Sequence, residues 1–142
     1  MKEIKLPYVK YLVSPPFIKP EQFVYRPVIA VKLSLGKRII RFEGLIDSGA
    51  DECIFPGWIA ETLGHNVHKG KQKIFSGIGG SVLSYLHKTT MQLEDMNLAM
   101  DVYYSHEWND MPFGLLGQAS FFSRFNISFH YQEKAVMLKY YT

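Results

Sequence analysis

The stretch from Gly44 to Pro56 constrains the fold more than any other part of the chain. Within it, an apolar run ends abruptly at Asp47-Ser48-Gly49, and a second apolar run follows shortly after. This pattern predicts a buried strand that delivers one aspartate onto a tight loop. Gly49 permits a positive φ or a close backbone approach, and the Ser48 hydroxyl can bond within the loop and hold it still. A carboxylate presented at the edge of an apolar floor suits general acid–base chemistry.

The tetrapeptide Asp47-Ser48-Gly49-Ala50 resembles the Asp-Ser/Thr-Gly-Ala signature of the aspartic proteases in their single-domain retroviral form. An Asp-Ser-Gly turn alone is common in loops, so the plain alternative is a β-domain with an ordinary Asx turn. Two further stretches resemble family landmarks in the right order. Gly77-Ile78-Gly79-Gly80 is similar to a flap tip, and Leu115-Leu116-Gly117 is similar to the second apolar strand near the catalytic loop. The resemblance runs from about residue 26 to residue 129 and implies an all-β fold, a retropepsin-like closed β-barrel that acts as a symmetric homodimer.

The pattern of apolar residues predicts a mainly β chain with one or two short helices. Pro56 at the first turn and Gly64 at the end predict a short helix after the loop. A second helix is predicted over 119–125, with three phenylalanines facing inward. The predicted hairpins join strands 28–35 and 39–46, 71–76 and 81–86, 89–93 and 98–104, and 127–131 and 135–140, with a short buried strand at 113–117.

Length and composition exclude several classes of protein. A chain of 142 residues, of which 47% are hydrophobic and 20% charged, can bury a core as one domain. A net charge of +3 is too small to indicate a nucleic-acid partner, and no apolar run approaches the roughly 20 residues of a membrane span. The single cysteine permits no internal disulfide, and the N-terminus lacks the apolar core of a secretory signal, so a cytoplasmic protein is expected.

Residues 1–24 contain four prolines, which predict an extended N-terminal arm ahead of a protease-like domain at 25–142. Ile4, Leu6 and Tyr8 nevertheless alternate as in a strand. Such a strand can pair at a subunit edge or pack on its own domain.

The chain has 13 acidic residues, but only Asp47 stands in an Asp-Ser/Thr-Gly context. Aspartic-protease chemistry needs two facing carboxylates that share one proton, so that one acts as base and the other as acid. The second carboxylate must therefore come from an identical chain, with Asp47 facing its copy across a two-fold axis. The resemblance implies that Asp47 is catalytic and that Ser48 and Gly49 support its loop.

The same resemblance places substrate-binding residues on both sides of the cleft. Ala50 and Asp51 are expected to line the subsites. The tip formed by Gly77, Ile78, Gly79 and Gly80 is expected to act as a lid, because so many glycines make a poor strand interior; a plain hairpin turn is the alternative. The second loop, Leu115, Leu116 and Gly117, is expected to cross near the catalytic loop.

One position departs from the family pattern. Retroviral members usually carry an arginine after the second apolar-apolar-Gly, where it pairs with the acid at the Asp51 position, but here the residue is Gln118. Arg26, which precedes Pro27, resembles the family's other arginine contact, made across the dimer. We therefore predict an ion pair between Arg26 and Asp51 of the partner subunit, the alternative being a solvated Arg26.

The leading hypothesis is a homodimeric aspartic endopeptidase that cleaves extended peptides and needs no metal or other cofactor. A non-catalytic dimeric peptide-binding or regulatory module of the same fold is the rival, and a monomeric β-domain with a coincidental turn is the third interpretation. Cys53 is expected to be a core thiol. His65 and His68 are expected not to bind metal, because such a loop needs more ligands.

Overall fold

The structure is a computed structural model that describes residues 1–77 and 80–140. In those residues the strands are β1 (Lys2–Pro7), β2 (Val9–Leu12), β3 (Phe23–Arg26), β4 (Val28–Leu35), β5 (Arg38–Ile46), β6 (Cys53–Pro56), β7 (Lys71–Gly77), β8 (Gly80–Leu93), β9 (Met96–Ser105), β10 (Gly114–Leu116), β11 (Asn126–His130) and β12 (Ala135–Tyr140). The helices in the same residues are α1 (Gly57–Leu63) and three 3-10 turns, Val67–Lys69, His106–Trp108 and Phe122–Arg124. None of these helices has the length and apolar character that crossing a bilayer requires.

Six strands close into a barrel in the order β4-β5-β10-β6-β9-β8, and β8 returns to pair with β4. The closing contact pairs Leu33 with Met91, and both side chains are completely buried. Closure leaves no free edge within the ring. Strand β7 lies outside the ring, and within the described part of the chain its one strand neighbour is β8, so the β7–β8 hairpin projects from the barrel. The predicted all-β class with few short helices is confirmed.

Alternation along the strands decides which side chains enter the barrel. On β4, Val31 and Leu33 are buried while Lys32 between them is exposed, as a strand with one face on the core requires. Phe55 and Tyr104 also have no exposed surface. Burying side chains of this size stabilises the fold by roughly 1.5–3 kcal/mol each, so the interior of the ring provides the rigid support on which the loops stand.

The helix after the loop begins and ends where the sequence predicts. Pro56 is the N-cap of α1, and Gly64 ends the helix with φ of 98°, a left-handed conformation that favours glycine. Ile59 and Leu63 face inward and are buried in the core. The helix therefore covers one side of the barrel directly after the predicted active-site loop.

The second predicted helix is wrong in type and extent. Only Phe122–Arg124 forms a 3-10 turn, because the positive φ of Ser120, 72°, interrupts a helix that would start at Ala119. The predicted burial is nevertheless largely correct. Phe121 and Phe125 are buried and Phe122 is partly buried against the core.

The N-terminal segment contains two strands. β1 pairs antiparallel with β12 of its own chain, from Lys2 opposite Tyr140 to Pro7 opposite Ala135, and the sheet order is β1-β12-β11. The alternation of the β1 side chains therefore reflects packing on the chain's own terminal sheet. β2 and β3 form a separate two-stranded hairpin that leads directly into β4.

Candidate active site

Asp47 lies directly beyond the end of β5, on the loop that connects β5 to β6. Its backbone N–H donates to the carbonyl oxygen of Leu116 at 3.0 Å, which extends the parallel pairing of β5 with β10 by one residue. Its carboxylate Oδ1 accepts the backbone N–H of Gly49 at 2.9 Å. The side chain is partly buried. The fold thus fixes one aspartate at a strand end, with one carboxylate oxygen held by the backbone of its own loop.

The loop after Asp47 is held mainly by backbone hydrogen bonds. The Ala50 N–H donates to the Asp47 carbonyl at 3.2 Å, which closes a tight turn through Ser48 and Gly49. A methyl group on Gly49 would lie 3.2 Å from Asp47 Oδ1. The predicted turn is therefore present, and its glycine lets the backbone approach the carboxylate closely.

Gln118 holds the same loop from the other side, a role that sequence reasoning missed. Its side-chain Nε2 donates to the Ser48 carbonyl at 2.8 Å, and its backbone N–H donates to the Ala50 carbonyl at 2.8 Å. The neighbouring Ala119 N–H donates to the Asp51 carbonyl at 2.9 Å. Its position directly after Leu115-Leu116-Gly117 could have indicated this role, since a residue there lies next to the Asp47 loop. The Gln118 side-chain amide therefore donates to a loop carbonyl, where an arginine would be expected to pair with a carboxylate.

The second loop, Leu115-Leu116-Gly117, lies beside the Asp47 loop. β10 runs parallel to β5 on one side, with Leu115 opposite Leu45, and pairs antiparallel with Ile54 of β6 on the other. Leu116 is completely buried. A methyl group on Gly117 would lie 2.3 Å from the Glu52 carbonyl oxygen, so only glycine fits there. β10 is therefore wedged between the two strands that flank the Asp47 loop.

The predicted lid coincides with the end of the β7–β8 hairpin. Ser76 pairs with Ser81 and Gly77 pairs with Gly80, whose φ is 124°. The two residues between them, 78 and 79, lie outside the described residues. At the base of the hairpin, Lys73 Nζ lies 3.4 Å from Glu52 Oε1 and 5.6 Å from the centre of the Tyr103 ring. The ion pair therefore connects β7 to the loop that carries Asp47, and the cation–π contact connects it to β9.

The predicted ion pair between Arg26 and Asp51 of another subunit stays a prediction. In the part of the chain that the structure describes, the Arg26 guanidinium lies 5.0 Å from the centre of the Tyr11 ring, and no salt bridge joins it to Asp51 of its own chain. Asp51 is exposed.

Cys53 is a buried thiol, and His65 lies beside His87. Burial, and to a smaller extent the nearby Glu52 carboxylate, raises the pKa of the Cys53 thiol to about 12, although the Gly117 N–H opposes the shift. Burial, together with the neighbouring His87, lowers the pKa of His65. Among residues 1–77 and 80–140, no group of three or more His, Cys, Asp or Glu is placed to hold a metal ion.

Comparison with known families decides the identity of the fold. The sequence model of the family described as retroviral aspartyl protease matches residues 24–125, most of the chain and all of the site described above. The chain belongs to the retroviral aspartyl protease family. A search of curated proteins finds no significant match.

Two solved structures show how far the likeness to this family extends. The chain is similar to a retropepsin-like aspartic protease from Rickettsia conorii, at 13% identity with a TM-score of 0.63, over 97% of this chain and 99% of that one. It is also similar to the EIAV protease solved with the inhibitor HBY-793, at 18% identity with a TM-score of 0.50, over 75% of this chain and 88% of that one. At these identities the likeness concerns the fold, and the predicted retropepsin-like closed barrel is confirmed.

Proposed function

We propose that this member of the retroviral aspartyl protease family is a homodimeric aspartic endopeptidase in which Asp47 of two chains activates a water molecule. The observation that carries the proposal is the geometry of Asp47. One carboxylate oxygen is held by the Gly49 N–H at 2.9 Å, and the backbone on both sides is fixed by β10 and Gln118. A carboxylate oriented in this way, in a partly buried position, is preorganised for proton transfer.

The chemistry requires a second carboxylate, and no other aspartate of the sequence stands in an Asp-Ser/Thr-Gly context. The loop after β10, which hydrogen-bonds to the Asp47 loop, carries Gln118. An amide cannot exchange a proton at the pH where a carboxyl group does. We therefore place Asp47 of the partner subunit opposite Asp47 on a two-fold axis. Two carboxyl groups that face each other at such close range cannot both ionise, so the pair holds one proton.

The proposed reaction uses that shared proton. The ionised carboxylate takes a proton from water while the water oxygen bonds to the peptide carbonyl carbon, and the protonated carboxyl gives its proton to the carbonyl oxygen. Collapse of the tetrahedral intermediate then breaks the C–N bond: the carboxyl that took the water proton gives it to the leaving nitrogen, and one hydroxyl of the intermediate returns its proton to the other carboxylate. The products are a new carboxyl terminus and a new amino terminus, with the dyad returned to its starting state.

The substrate is proposed to be a peptide in extended conformation. Ala50 and Asp51 lie directly after the catalytic turn and would border the subsites, while the hairpin end formed by Gly77, Ile78, Gly79 and Gly80 would cover the peptide. A strand-like peptide can exchange main-chain hydrogen bonds with such edges and place alternate side chains in pockets.

The proposed function is tested by incubating the pure protein with a peptide library at mildly acidic pH over a range of protein concentrations. We expect endoproteolytic cleavage that a statine-type inhibitor blocks. We also expect activity per chain to rise with concentration, because only the dimer has a complete site. Peptide binding by a stable dimer without cleavage at any pH would instead support the non-catalytic module, and a chain that stays monomeric at high concentration would rule out both.

Arg26→Ala is expected to weaken the dimer about three- to thirtyfold, because it removes one partner of the proposed ion pair with Asp51 of the partner subunit. Sedimentation over a dilution series measures the dimer dissociation constant. Arg41→Ala is the matched control, since Arg41 is exposed on β5. An unchanged dissociation constant for Arg26→Ala would mean that this ion pair does not form.

A further inference from the structure

Strand β8 of the β7–β8 hairpin loses one of its two neighbours before the hairpin ends. β8 pairs with β9 only as far as Tyr85 opposite Tyr104, whereas it pairs with β7 all the way to Gly80. Continuing the β8–β9 register would place Leu83 opposite His106. The chain turns there into the 3-10 helix His106–Trp108, and the His106 carbonyl accepts the N–H of Asn109 at 3.3 Å instead. The ladder therefore ends before it reaches Leu83.

A side chain takes the place of the missing backbone acceptor. Glu107 Oε2 accepts the backbone N–H of Leu83 at 2.7 Å, a short distance typical of a hydrogen bond to a charged acceptor. The contact lies beyond the last β8–β9 pair, at the point where the hairpin leaves the barrel. One carboxylate thus continues the sheet by one hydrogen bond.

Glu107 is presented by a well-anchored turn. Its own N–H donates to the hydroxyl of Ser105 at 3.2 Å, and Ser105 is completely buried. The next residue, Trp108, donates its ring Nε1–H to the Phe113 carbonyl at 3.0 Å, just before β10. The carboxylate is therefore held relative to β10, which also holds the Asp47 loop.

The opposite strand of the hairpin has its own carboxylate contact, between Lys73 and Glu52 at 3.4 Å. Each strand of the hairpin thus has one carboxylate contact with the barrel: β7 through Glu52 of the Asp47 loop, and β8 through Glu107. We propose that Glu107 is a positioning residue: its bond to Leu83 sets how the β7–β8 hairpin stands relative to the Asp47 loop, and thereby how well the site binds substrate. This inference rests on the proposed function for its link to substrate, while the hairpin contact itself can be measured without any activity.

The test compares Glu107→Ala and Glu107→Gln with the wild-type chain. Alanine removes the acceptor, so the Leu83 amide is expected to exchange with solvent about three- to tenfold faster, while amides of the barrel such as Met91 keep their rates. For cleavage, KM and the inhibition constant of a statine-type inhibitor are expected to rise about three- to tenfold, with kcat changed less than twofold. Glutamine keeps a carbonyl acceptor and is expected to restore most of both properties. Glu3→Ala, which removes an exposed carboxylate from β1, is the matched control.

Each outcome decides a separate part of the inference. Unchanged exchange at Leu83 in Glu107→Ala overturns the positioning role, whether or not the protein cleaves peptides. Faster exchange with an unchanged KM and inhibitor affinity in an active enzyme overturns the link to substrate binding. A wild-type chain that cleaves nothing refutes the proposed function, and the exchange and inhibitor-binding measurements then decide the role of Glu107. A uniform loss of stability in both variants, with no rescue by glutamine, also counts against the inference.

Discussion

Asp47→Asn is expected to abolish peptide cleavage while leaving the fold and the dimer intact. Asparagine has nearly the shape of aspartate, and its Oδ1 can still accept the Gly49 N–H that now lies 2.9 Å from the carboxylate. What it loses is the exchangeable proton on which both halves of the proposed reaction depend. Removing a general acid–base group lowers rates by about 10²–10⁴, and here both functions are removed at once, so we expect a loss of at least about 10³-fold.

Single-turnover assays measure the rate constant of the cleavage step and hence this loss. Circular dichroism checks the fold, and sedimentation checks the dimer. Asp110→Asn makes the same chemical change at an exposed loop residue and is expected to keep wild-type activity. If Asp47→Asn retained more than about a hundredth of wild-type activity, Asp47 could not be the catalytic acid and base.

A mixing experiment with the same variant tests whether two chains share one site. Wild-type and Asp47→Asn chains are combined in equal amounts and allowed to exchange partners. If each chain worked alone, half of the activity would remain. If every site needs both aspartates, only about a quarter of the randomly formed dimers carry them, and the activity falls to about a quarter.

Gly117→Ala is expected to be the most destabilising small substitution near the site. The added methyl carbon would lie 2.3 Å from the Glu52 carbonyl oxygen and 2.6 Å from that of Ala50. Both atoms belong to the backbone, so no side chain can rotate away, and β10 would have to separate from the loop that carries Asp47. Overpacking of this kind costs about 1–3 kcal/mol even where side chains can adjust, so we expect the free energy of unfolding to fall by about 3 kcal/mol or more.

Urea denaturation at one fixed protein concentration measures the change, because dimerisation makes apparent stability depend on concentration. Gly36→Ala is the control: Gly36 also has a structural role, with φ of 60°, but an added methyl there meets nothing within 4 Å. It is expected to cost only the backbone strain, about 1–2 kcal/mol. Equal effects at the two positions would contradict the close approach inferred for Gly117.

The Asp47 loop and the helix after it could be predicted because their signals are local. A carboxylate between two apolar runs determines where β5 ends, and Pro56 and Gly64 bound α1 within a few residues. The same kind of reasoning failed at residues 119–125. Three phenylalanines suggested a helical face there, but the positive φ of Ser120 interrupts the helix, and no residue type in that stretch signals such a conformation.

Other features depend on contacts between parts of the chain that are distant in sequence. The pairing of β1 with β12 joins residues at opposite ends of the chain, so the prolines near β1 gave no indication of its partner. Sequence reasoning also divided β8 into two strands, whereas β9 pairs with it continuously from Tyr85 to Leu93. The roles of Gln118 and Glu107 could not be predicted, because they depend on the orientation of the two side chains, which a sequence motif does not specify.

Because Cys53 is buried close to the Asp47 loop, its reactivity reports local opening of the structure around that loop. The thiol is completely buried, its sulphur lies 3.7 Å from the Ala119 carbonyl oxygen, and burial raises its pKa to about 12. An alkylating reagent at neutral pH needs a thiolate that it can reach, so it will modify the folded chain only when the residues that cover Cys53 open. The rate of alkylation therefore measures how often this opening occurs. A ligand that stabilises the assembled site will slow the alkylation.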